Sequence, residues 1–127
     1  MRMNKKGRKH EPLYKSFGYA FSGIGNTIKD ERNIKIHLAC ALLVVIFGVW
    51  LRISVTEWFV CLLLFALVIS LELVNTAVEA VTDLVTEEKR PLAKKAKDAA
   101  AGAVLVSAII AVIIGGFIFL PKLIGIF

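Results

Sequence analysis

The chain has 127 residues, 57% of them hydrophobic, and a formal net charge of +6. That length implies one domain, and that apolar content excludes a soluble protein of this size that hides every greasy stretch. The basic residues flank apolar runs, as Arg2, Lys5, Lys6, Arg8, Lys9 and Lys15, then Lys29, Arg32 and Lys35, then Lys89, Arg90, Lys94, Lys95 and Lys97. This placement marks the cytoplasmic side of a membrane protein better than a nucleic-acid surface.

Residues 1–11 are basic, polar and short of apolar anchors, so a flexible tail is expected there. No apolar core and cleavage site follow it, so it does not read as a signal peptide. Over residues 13–30, Leu13, Phe17, Ala20, Phe21, Ile24 and Ile28 recur at helical spacing. This predicts an amphipathic helix lying on the membrane surface. Gly18, Gly23 and Gly25 interrupt it and would permit close backbone approach by a ligand.

The first span is expected over 34–51, ending before Arg52 and the short turn "RISVTE". A second helix is expected over 57–86, about 45 Å at 1.5 Å per residue. That exceeds the roughly 30 Å hydrocarbon core, so its second half should emerge at the interface or line a cavity. The charged loop "EEKRPLAKK" follows, and the third span is expected over 93–120, stopped by Pro121. Its stretch Ala99 to Leu120 carries no charge. Cys40 and Cys61 lie in apolar segments without zinc spacing and read as buried thiols. The excess of Lys and Arg before the first span and in the second loop puts the N-terminus in the cytoplasm and the C-terminus outside.

The second helix changes character abruptly at "SLELVNTAVEAVTD", residues 70–83. At about 100° per residue, Asn75, Thr76, Glu79 and Asp83 fall within about 60° of Glu72, and the opposite side carries Leu73, Val74, Val78, Val81 and Val85. Solvation or pairing with Lys and Arg would account for Asp83. Glu72 lies deepest, beside the apolar run, where an ionisable group faces a partner, a cavity or a pathway. It is therefore a candidate general base. Glu79, about 10 Å further along the axis, suits a hard divalent cation, and Glu31 could supply a second carboxylate from the same side. Lys97 and Asp98 open the third helix there, and a lysine so placed can neutralise phosphate charge. The small residues Ala99 to Ala103 read as helix packing. The chain has no GxxxxGK[ST] sequence and no kinase glycine-rich loop.

"ELVNTAVEAVTD" (72–83) resembles the signature of the small prokaryotic lipid kinases, the diacylglycerol kinase and undecaprenol kinase family. "AKDAAAGAV" (96–104) resembles its second block, and "GYAFSGI…DERN" (18–33) its N-terminal block, the likeness extending over residues 12 to 121. The resemblance implies an all-α integral membrane protein of three transmembrane helices plus an N-terminal surface helix. It also implies a homotrimer with shared active sites. The implied reaction moves the γ-phosphoryl of ATP to the primary hydroxyl of a membrane lipid, with Mg2+, at the cytoplasmic face of the cell membrane.

Carried over by matching position, Glu72 corresponds to the family's catalytic base, and Glu31 and Glu79 to its metal-bearing carboxylates at the nucleotide. Asn75, Lys97 and Asp98 correspond to nucleotide-site residues, as do Tyr19 and the segment Glu88, Lys89 and Arg90. Asp83 matches a polar motif position without an assigned role. Where the diacylglycerol kinase branch carries an arginine near the start of the surface helix, this chain has Pro12. "ERNIKIH" and "PLAKKAKDAAAGAV" look more like the Gram-positive undecaprenol kinase branch, which makes undecaprenol the expected lipid. The alternatives are diacylglycerol as the lipid, a carboxylate-based ion or proton pathway, and a non-catalytic membrane subunit.

Overall fold

Residues 11–125 are described by a computed structural model, in which four helices follow one another: α1 (Leu13–Asp30), α2 (Arg32–Leu51), α3 (Val55–Val85) and α4 (Pro91–Leu123). The tail expected over 1–11 lies outside the described residues except for Glu11. No strand occurs among the described residues. Helices α2, α3 and α4, of 20, 31 and 33 residues, are each long and apolar enough to cross a membrane. The protein is a multi-pass helical membrane protein.

Helix α1 is continuous through Gly18, Gly23 and Gly25, and among the described residues, the helix's own backbone aside, nothing comes within 4 Å of where a Cβ on any of them would sit. Its Leu13, Phe17 and Phe21 are exposed, as an interfacial helix requires. A single extended residue, Glu31, separates α1 from α2, and its N–H bonds back to the Thr27 carbonyl at 2.8 Å. Glu31 thus stands at the N-cap of α2, yet its side chain makes no cap hydrogen bond.

The α2–α3 connection is tight. Arg52 sits in the left-handed region (φ 55°), with its N–H on Val49 and that of Ile53 on Gly48. This pairing of bonds is a Schellman closure, usually built on glycine. The Trp58 ring lies against Gly48, and a Cβ there would stand 2.7 and 2.9 Å from two ring carbons. Ser54 and Glu57 then form a reciprocal capping box, so α3 begins at Val55, ahead of the expected residue 57. The same Glu57 reaches Lys122 at 3.3 Å, tying the start of α3 to the end of α4.

Other boundaries differ from expectation, and α3 ends at Val85, one residue short of 86. Helix α2 begins at Arg32 because only Glu31 is extended, and α4 begins at Pro91. Proline at the first helical position loses no bond, since that N–H has no intrahelical acceptor. Nor does Pro121 stop α4, which runs through it to Leu123. So near the C-terminus the ring removes one bond, and the Ile124 N–H still closes on Leu120 at 2.9 Å.

Helices α3 and α4 pack most extensively. The buried apolar set is thin, namely Ile34, Ile53, Val68, Val104 and Ile118. A membrane explains this, since apolar side chains need no protein cover in lipid. More telling is what polar groups the bundle buries: Thr27, Glu72, Asn75 and Ser107. Thr27 and Ser107 satisfy their hydroxyls on the carbonyls of Gly23 and Val104, each at 2.8 Å. Glu72 and Asn75 have no such local outlet.

Candidate active site

Glu72 and Asn75 lie one helical turn apart on α3, on the face turned toward α2 and α4. Glu72 is only 3% exposed. Its Oε1 lies 3.4 Å from Nε2 of His37, which projects from α2. Asn75 is buried, and its Oδ1 has no hydrogen-bond partner. An unmet buried acceptor costs about 1–3 kcal/mol, and among the described residues nothing meets the Asn75 Oδ1. Both residues line a cavity of about 350 Å3 together with Asn33, His37, Ala101 and Val104. A larger apolar groove of about 620 Å3 adjoins it, and Ile36, His37 and Ala108 line both.

A second polar group stands further along α3. Glu31 accepts from the Thr76 hydroxyl at 3.4 Å. The electrostatic neighbours of Glu79 are Glu31, Lys97, Asp83 and Glu72, so Glu31 and Lys97 both stand near the acidic stripe of α3. Lys97 meets Asp83 at 2.6 Å. That contact gives Asp83, a position without a role in the sequence, a defined partner on α4.

The remaining candidates lie apart from this group. Asp98 is exposed and pairs with Lys94 one turn away. Glu88, Lys89 and Arg90 are exposed on the short connection before α4, with Arg90 against Glu88 at 3.4 Å. Tyr19 lies on α1, its hydroxyl donating to Glu11. His37 and Asn33 were not among the residues singled out from sequence. The available signal was a histidine inside the otherwise apolar run "IHLACALLVV" (36–45).

Among the described residues, no three or more His, Cys, Asp or Glu side chains gather to hold a metal ion on their own. Glu31 and Glu79 are electrostatic neighbours in this region.

The sequence that builds this site is similar to that of known proteins. The family model for prokaryotic diacylglycerol kinase matches residues 18–119. The chain belongs to the prokaryotic diacylglycerol kinase family. It is 49% identical over 123 residues to the undecaprenol kinase of Bacillus subtilis, covering 95% of this chain and 100% of that protein. The diacylglycerol kinase of Synechocystis sp. is 43% identical over 114 residues, 89% of this chain and 65% of that one. That of Escherichia coli is 31% identical over 101 residues, 80% and 83% of the two chains. Members of the diacylglycerol kinase family are lipid kinases, and this chain is one of them.

Proposed function

We propose that the protein transfers the γ-phosphoryl of ATP to the primary hydroxyl of undecaprenol at the cytoplasmic interface of the cell membrane. The observation that supports this reading is Glu72, a buried carboxylate lining the smaller cavity that adjoins an apolar groove. The preference for undecaprenol rests on the similarity to the Bacillus subtilis enzyme over 95% of the chain.

In this reading Glu72 accepts the proton of the lipid hydroxyl as its oxygen attacks. Glu31 and Glu79 would hold Mg2+, which supplies charge neutralisation at the phosphates when bound. Lys97 adds positive charge on the same side, exchanging its contact with Asp83 for phosphate. Asn75 Oδ1 accepts from a hydroxyl or water of the reacting complex. Tyr19, Glu88, Lys89, Arg90 and Asp98 serve the nucleotide at the cytoplasmic edge. Little covalent chemistry falls to the protein in such a transfer, so catalysis is chiefly positioning and charge stabilisation. The order of groups along α3 suits the order of reactants, with lipid at the apolar end and nucleotide beyond.

We extend the proposal to a homotrimer with shared sites and an external C-terminus. The family resemblance supports the trimer, as does the open small-residue face at Gly102, where nothing lies within 4 Å of a Cβ position. The distribution of Lys and Arg supports the orientation. A tag after Phe127 should be reachable from outside intact cells.

The deciding experiment is transfer of labelled γ-phosphate, with Mg2+, to undecaprenol and diacylglycerol competing in one mixed micelle. Preferential labelling of undecaprenol supports the proposal. Preferential labelling of diacylglycerol changes the lipid and keeps the chemistry, and labelling of neither by folded protein refutes it.

A further inference from the structure

Glu72 carries its charge almost wholly out of solvent, and a lone carboxylate in such a place is costly unless something answers it. Among the described residues the group within ion-pair reach is the His37 imidazole, 3.4 Å from Oε1. His37 comes from α2, a different helix, and is half-buried where the polar cavity meets the apolar groove. It lies one turn beyond Asn33, which lines the same cavity.

A carboxylate on a two-carbon stem can turn about its terminal bonds, and only some orientations point a lone pair at an incoming hydroxyl. A ring N–H on one oxygen removes that freedom. It also leaves the other oxygen unencumbered. We propose that His37 is a positioning residue for the Glu72 base: with Nε2 protonated, it holds Oε1 and leaves Oε2 facing the lipid hydroxyl. This inference rests on the lipid kinase reading of the site. This role requires the tautomer with hydrogen on Nε2, the nitrogen that faces the carboxylate at 3.4 Å.

The step it serves balances without His37 changing composition. The lipid O–H proton passes to Glu72 Oε2, the lipid oxygen bonds to the γ-phosphorus, and the phosphorus bond to the ADP oxygen breaks. His37 exchanges no proton with lipid or nucleotide in this scheme and acts on the transfer through Glu72. A base contributes roughly 10²- to 10⁴-fold to such a reaction, so losing its orientation without losing the base should remove part of that factor.

The test uses the full chain in mixed micelles with labelled ATP and lipid alcohol, comparing wild type, His37→Leu, His37→Gln and His37→Ala. His37→Leu should lower kcat by about 10- to 100-fold and leave the KM for ATP near the wild-type value. His37→Gln, which keeps an N–H at a similar reach, should recover part of the loss. Added imidazole should raise the turnover of His37→Ala, whereas furan, of similar shape but without N–H, should not. Wild-type kcat in His37→Leu would overturn the proposal, as would equal responses to imidazole and furan in His37→Ala. If His37→Leu fails to fold, the other two variants decide. Wild-type protein that labels no lipid would sink the lipid kinase reading itself. Insensitive His37 variants beside an active wild type would remove only the positioning role.

Discussion

Replacing Asn75 with leucine separates a functional polar group from a structural one. Asn75 is 8% exposed, and its Oδ1 has no hydrogen-bond partner. A buried acceptor in that condition costs about 1–3 kcal/mol. Leucine removes the unmet acceptor and adds apolar bulk beside a cavity of about 350 Å3, which leaves room for the larger branch. The variant should therefore gain about 1 kcal/mol or more of stability. Its activity should move the other way. A hydrogen bond to a neutral hydroxyl or water is worth about 0.5–1.5 kcal/mol, which at about 1.36 kcal/mol per decade is roughly a 2- to 13-fold loss of turnover. The assay pairs thermal unfolding in detergent micelles with lipid phosphorylation on the same preparation. A variant that is less stable and fully active would refute the reasoning, because Asn75 would then be serving the fold.

Other substitutions probe the remaining structure. Gly48→Ala forces a Cβ to 2.7 Å from the Trp58 ring and 3.1 Å from Ile53. Overpacking of this kind costs about 1–3 kcal/mol and outweighs the roughly 1 kcal/mol gain in helix propensity, so the unfolding temperature should fall. Arg52→Gly relieves a left-handed backbone position. It should stabilise the α2–α3 turn by about 1 kcal/mol, seen as a rise in the same temperature. Glu79→Ala should shift the Mg2+ titration of activity to higher concentration. An unchanged titration would take Glu79 out of the metal site.

Much of this architecture was legible in the residues. The period of 13–30 predicted a helix, and α1 covers those residues, ending where Glu31 breaks the chain. The ends of the spans were less legible. Glu57 looked like the start of a helix, but it is the third residue of a capping box whose first member is Ser54. Pro121 looked like a stop, yet in the last turn its missing N–H removes a single bond.

The helical phase of Glu72, Asn75, Thr76, Glu79 and Asp83 was visible from their spacing alone. What they face was not, since His37, Thr76 against Glu31, and Lys97 against Asp83 are contacts between helices far apart in sequence. Nor was the Glu57–Lys122 pair, which joins residues at opposite ends of the α3–α4 hairpin. Spacing within one helix sets its faces, and packing alone decides which face meets which.

The most direct test of the account is Glu72→Gln against wild type, read as single-turnover transfer of labelled phosphate to undecaprenol alongside ATP binding. The substitution preserves shape at a site that is 3% exposed and removes only the capacity to take a proton. The account expects transfer to fall by about 10²- to 10⁴-fold while ATP binding and the unfolding temperature hold. Undiminished transfer, or loss of ATP binding in place of transfer, would contradict it.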